Sequence, residues 1–151
     1  MMLKRGDVFS IEVKAGKAYF QYVEKLPSFG PLIRVLPGVF SASPDFDVLV
    51  PSPSNFWVFF PISAALKNRV IDKIGNYPLP DHSKTKPVFR TGMVDPRTGR
   101  VEKWWFWDGE KSWEVGQISD DERKLPIRGV WNDTLLIQRI NEGWLPEKDQ
   151  R

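Results

Sequence analysis

The chain has 151 residues, 41% of them hydrophobic and 13% aromatic, with seven Trp and ten Phe. That is enough apolar material for a buried core, which sets the chain apart from disordered sequences. It contains no Cys, which excludes disulfides, thiolate metal sites and a Cys nucleophile. Its net charge of +3 permits an acidic partner without requiring one.

The opening residues Met1 to Asp7 carry Lys4 and Arg5 with no apolar stretch behind them, so no signal peptide is expected. No apolar run approaches the roughly 20 residues that cross a bilayer. The expectation is one soluble cytoplasmic domain over residues 1–151, ordered from about residue 5 to about residue 144, with a frayed tail over Leu145–Arg151.

In Asp7–Val13, alternation places Phe9, Ile11 and Val13 on one face and Val8, Ser10 and Glu12 on the other. Ala15-Gly16 offers a turn into Lys17–Leu26, whose Tyr, Phe and Val content is that of a strand. Leu32–Leu36, Phe46–Val50 and Phe56–Phe60 read as further strands between Pro- and Ser-containing loops. A helix is then expected from an N-cap at Ser63, along an apolar stripe of Leu66, Val70 and Ile74, to a stop at Gly75. Tyr77–Lys86 reads as a loop. Its His82 has no second His and no Cys with which to build a metal site.

The second half predicts a three-stranded meander: Val88–Val94, a turn at Asp95–Gly99, Arg100–Trp107, a two-residue turn at Asp108-Gly109, then Glu110–Ile118. Ser119-Asp120-Asp121-Glu122 has the form of a capping box, so a short helical turn begins there and ends before Pro126. A last helix starts at Asn132 or Asp133, turns Leu136 and Ile140 inward and stops at Gly143, with Trp144 folding back on its final turn.

With a two-residue turn, Trp107 lies opposite Glu110. One face then groups Trp104, Phe106, Trp113 and Val115 as core. The other holds Trp105 and Trp107 with Lys103, Glu110 and Glu114, a half-wet face. Large aromatics on such a face call for a cover. The protein's own C-terminal helix and Trp144 are one candidate, and a partner surface is the other. Trp105, Trp107, Lys103, Glu110 and Glu114 are therefore the candidate partner-binding residues. The two Glu on that face disfavour nucleic acid.

Catalytic constellations are absent from the sequence: no phosphate-binding glycine loop, no Gly-x-Ser-x-Gly and no His-Glu-x-x-His. The acidic cluster Asp120-Asp121-Glu122 suits a helix N-terminus for dipole reasons alone. No catalytic residue, metal ligand or cofactor is expected, and the chain is read as a non-enzyme.

Lys4-Arg5-Gly6-Asp7-Val8-Phe9-Ser10-Ile11 followed by Gly16-Lys17-Ala18-Tyr19-Phe20 resembles the opening of the immunity protein 26 family of bacterial polymorphic toxin systems. Lys103–Gly109, Leu125-Pro126 and the closing Glu142-Gly143-Trp144 are similar too. The resemblance implies a cytoplasmic protein that neutralises a cognate toxin by occluding it. A small-ligand or nucleic-acid module with an aromatic-lined pocket is the alternative. The expected fold is α+β and mainly β. A strongly curved or barrel-like antiparallel sheet, built of N-terminal strands and the Trp-rich meander, carries two short helices.

Overall fold

The computed structural model describes residues 2–151. Its main sheet has five antiparallel strands: β1 (Asp7–Val13), β2 (Gly16–Leu26), β3 (Gly30–Val35), β4 (Phe56–Phe59) and β5 (Ile71–Asn76), ordered β4-β3-β2-β1-β5. The alternation in β1 is realised, with Phe9 opposite Phe20 and Ile11 opposite Ala18 on β2. The fold is thus α+β and mainly β. The sheet is open, with β4 and β5 as its edges, so the barrel-like closure expected from the sequence is not found. At the β4 edge, backbone bonds between Phe59 and both Gly129 and Trp131 supply partners that another strand would otherwise provide.

Both faces of this sheet are covered, which the sequence did not foretell for Val8 and Ser10. On one face Phe9, Phe20, Ile33, Val35, Phe56 and Val58 pack with Phe60, Leu136 and Trp144. That side carries the helices α2 (Ile62–Lys67) and α3 (Asp133–Glu142). On the opposite face Val8, Tyr19, Leu36, Leu49 and Val50 form one cluster. Leu26, Leu32, Phe59, Phe89 and Trp107 form another.

Around the main sheet, three segments depart from expectation. Phe46–Val50 is not a strand: Asp45 accepts a hydrogen bond from the Asp47 N–H at 3.0 Å, and the capped turn becomes α1 (Phe46–Leu49). Among the described residues there are therefore three α-helices, not two. The helix expected through Ile74 ends at Lys67, and its first turn is entered from Pro61 with no side-chain cap, so Ser63 is not the N-cap. Arg69 takes a left-handed φ of 59°, and Ile71 then pairs with Ile11 of β1. The β-branched Ile71 fits that edge strand better than a second helical turn. The tail is not frayed either. Pro146–Lys148 forms a 3-10 turn, Pro146 is buried, and Trp144 Nε1 donates to Asp149 Oδ2 at 3.2 Å.

Other expectations hold. Ser119 and Glu122 cap each other reciprocally, at 2.9 and 3.1 Å. Asn132 caps α3 by accepting from Leu135 N–H at 2.8 Å, and Gly143 ends it with φ 66°.

The motif Gly6-Asp7 has a structural purpose. Gly6 has φ +94°, and a Cβ there would lie 2.3 Å from the Tyr77 carbonyl oxygen. The buried Asp7 carboxylate accepts from Lys4 N–H at 2.9 Å and Asn76 Nδ2 at 3.0 Å, with Lys73 Nζ at 3.4 Å. Burial pushes this carboxyl up, but the Asn76 bond, the Lys4 N–H and the Lys73 ammonium together hold it below its ordinary value. Asp7 thus fastens the N-terminal turn to β5.

Candidate interaction surface

The Trp-rich segment builds a second sheet, ordered β10-β9-β6, from β6 (Phe89–Thr91), β9 (Trp104–Trp107) and β10 (Ser112–Gly116). A small hairpin of β7 (Val94–Asp95) and β8 (Arg100–Val101) projects between β6 and β9 along the chain. The turn after Trp107 is longer than the two residues expected. Asp108 N–H donates to the Lys111 carbonyl at 3.1 Å, and Asp108 Oδ1 accepts from the N–H groups of Glu110 and Lys111. Trp107 consequently faces Ser112, Phe106 faces Trp113, and Trp105 faces Glu114. From Trp107 to Trp105 the register slips by two residues, an even number, so these side chains keep their expected faces, and a bulge between Glu114 and Gly116 then sets Gly116 opposite Trp104.

The structure separates the five candidate residues. Trp107 is 6% exposed and is not available to a partner. Its ring meets Phe29 at 4.9 Å, Phe89 at 5.5 Å and Phe59 at 6.1 Å, with the Arg128 guanidinium 5.2 Å above it. The covering layer is the main sheet's β4, not α3 or Trp144. Trp144 lies against Phe56 and Trp131 in the core on the other face. Trp105, two residues away on the same face, runs past the end of this layer and stays 38% exposed. Lys103 and Glu114 do pair, at 3.8 Å across an exposed surface. Glu110 sits in the turn, apart from them.

Met93, 89% exposed, and Val94, 39% exposed, join Trp105. With Pro96, Lys103 and Glu102 they border a cavity of about 370 Å³. Sequence reasoning missed Met93 and Val94. Val88–Val94 reads as one strand, but the pairing with β9 ends at Thr91 opposite Trp105, and the chain then leaves the sheet. On the other face Trp104 is buried beneath the Arg90 guanidinium at 4.4 Å, as expected of core. Trp113 is not core: it is 41% exposed and touches Phe106 edge-on at 6.2 Å.

His82 is exposed and joins a polar chain. Its Nδ1 lies 2.7 Å from Ser83 Oγ, which lies 2.9 Å from Ser54 Oγ, which accepts from Arg34 Nη1 at 2.9 Å. This is a structural tie and not a nucleophile–base pair. Ser83 is 1% exposed, and His82 Nε2 faces the Pro51 carbonyl in place of a carboxylate. Arg34, 0% exposed, also donates to Gln21 Oε1 at 2.9 Å, to the Ser52 carbonyl and to the Val50 carbonyl. Burial pushes its guanidinium down to about 10, which leaves it charged at neutral pH. Arg34 thereby holds the 50–54 loop against the sheet.

Among the described residues no group of three or more His, Cys, Asp or Glu is placed to hold a metal, and no helix is long and apolar enough to cross a membrane. Comparison of the chain with family models, with curated proteins and with solved structures finds no match.

Proposed function

We propose that this protein acts by binding another protein through the Trp105 surface, and not by catalysis. The observation that supports this is Trp105 itself. In a molecule that buries Trp104, Trp107 and Trp144, it stands 38% exposed beside an 89% exposed Met93, with a shallow cavity between them. Aromatic anchors and Met are the residues that carry interface energy, and a rim of opposed charges such as Lys103 and Glu114 surrounds such anchors. Glu102, Asp95 and Glu114 near the ring would repel a phosphate backbone, which weighs against nucleic acid as the partner.

The partner is a bacterial toxin, neutralised by occlusion in the cytoplasm. This part of the reading rests on the resemblance to the immunity protein 26 family. The residues that carry that resemblance at the N-terminus, Gly6 and Asp7, are framework, and Trp105 lies in another stretch that carries it, Lys103–Gly109. The test is co-purification of the tagged chain from the organism that encodes it, together with inspection of the adjacent reading frame. Retention of one protein encoded next door supports the toxin reading. Retention of a protein encoded elsewhere sinks the toxin and leaves protein binding standing, and a purified chain that retains nucleic acid alone overturns both.

A further inference from the structure

We propose that the groove between the β7–β8 hairpin and the C-terminal turn is a binding site for a small molecule carrying clustered oxyanions, a phosphate ester or a polycarboxylate. The groove has two lobes of about 550 and 600 Å³ that share Asp149, Gln150 and Arg151 as their common wall. Each lobe is of the size that takes a small ligand. Five cationic side chains reach it: Arg139 and Lys148 in one lobe, Arg100 and Arg123 in the other, and Arg151 in both.

Four acids also line it, Glu142 and Asp149 in one lobe and Glu102, Asp120 and the shared Asp149 in the other, against the five cations, and two of the four are engaged already. Asp149 accepts from Arg151 Nε at 2.8 Å and from Trp144 Nε1, and Glu142 accepts from Arg139 at 3.2 Å and Gln138 at 3.0 Å. The Arg100 side chain is exposed and makes no hydrogen bond or ion pair among the described residues. It is a free cation on the groove wall.

A second, independent observation comes from the buried polar atoms. Among the described residues, those without a hydrogen-bond partner are Arg90 Nη1 and Arg139 Nε. Arg139 belongs to the groove wall and leans on Trp144, while Arg90, 0% exposed, lies behind Trp104, which lines the other lobe. Arg90 is bonded to the carbonyls of Leu125, Arg123 and Pro146 and to no carboxylate. Its charge is met by these carbonyl dipoles and, at longer range, by Asp149 and Glu147, which favour the charged form. Burial first, and then the neighbouring Arg123, push its guanidinium down to about 10, so it still carries that charge at neutral pH. Guanidinium forks match phosphate and carboxylate oxygens in pairs, so an oxyanion entering here finds the unpaired Arg100 and the remaining donors of Arg123 and Arg151, each of which spends one on Asp149.

The groove adjoins the Trp105 cavity through Val94 and Glu102 but takes a ligand of different chemistry, so the two can be tested apart. The experiment is isothermal titration calorimetry of the whole chain with inorganic pyrophosphate and, separately, with citrate, at constant low ionic strength. The expected result is saturable binding of at least one of them with a dissociation constant below about 1 mM, weakened at least about fivefold in Arg100→Gln. Arg97→Gln is the control, because Arg97 lies in the same hairpin, outside the groove and paired with Asp95 at 3.3 Å. It should bind as the native chain does, and so should Trp105→Ala. Whichever probe binds more tightly assigns the site to phosphates or to polycarboxylates. No heat with either probe at about 10 mM, or equal weakening in Arg97→Gln and Arg100→Gln, would overturn the proposal.

Discussion

Asp7→Asn is a nearly isosteric change that removes one charge from a fully buried carboxylate. The carboxylate accepts from Lys4 N–H and from Asn76 Nδ2, one on each oxygen, and faces the Lys73 ammonium. Asn keeps one acceptor and turns the other into a donor pointed at a donor. One bond to a charged group is lost, worth about 1.5–3 kcal/mol, and the surviving bond loses its charge assistance. The sum is a destabilisation of about 2–4 kcal/mol at neutral pH, or roughly 5–15 °C in Tm for a domain of this size. The sign of the pH dependence follows from the lowered carboxyl. Its folded value lies below the unfolded one, so its contribution is complete above the ordinary Asp range near 3.8 and is lost as pH falls through the folded value. Urea denaturation of both proteins at neutral pH and at about pH 3 checks this: the gap between them should narrow in acid. A gap under about 0.5 kcal/mol at neutral pH, or one that does not change with pH, would refute the role given to Asp7.

Trp107→Ala should cost about 3–5 kcal/mol, because it opens a cavity among Phe29, Phe59 and Phe89, and chemical denaturation should show it without loss of cooperativity. Arg34→Met should cost about 3–5 kcal/mol, since the carbonyls of Val50 and Ser52 are left without a donor. Amide exchange should quicken first in the loop around residues 50–54, and exchange that rises evenly over the sheet would contradict the anchoring role.

The strands and caps were legible where a local rule decides the outcome. Phe9, Ile11 and Val13 alternate, Ser119 and Glu122 sit at capping-box spacing, and Asn132 and Gly143 bracket α3. Each of these is a short-range pattern, and each is realised. Val70 and Ile74 repeat at helical spacing as well, but the hydrogen bonds offered by β1 at Ile11 outweigh a second turn of helix, and only the tertiary partner shows this. Phe46 and Val48 alternate like a strand, yet Asp45 is able to cap them into a turn.

The candidate surface was half legible. The parity of the Trp strand put Trp105 and Trp107 on one face correctly. Nothing local says that Phe59 of β4 covers one of them and stops short of the other, because that layer comes from about fifty residues earlier in the chain. The buried cations Arg34 and Arg90 carried no signal at all. An Arg in a strand reads as a solvent-facing residue unless the carbonyls that will surround it are known.

The measurement closest to the central claim compares the tagged native chain with Trp105→Ala in capture of a partner from the organism that encodes it. Trp105 is 38% exposed, so the variant should stay folded and lose less stability than Trp107→Ala, about 1–2 kcal/mol. Loss of an interface anchor worth about 2 kcal/mol should reduce partner retention roughly thirtyfold. Equal retention by both proteins would place the interface elsewhere, and failure of the native chain to retain any protein would contradict the binding function itself.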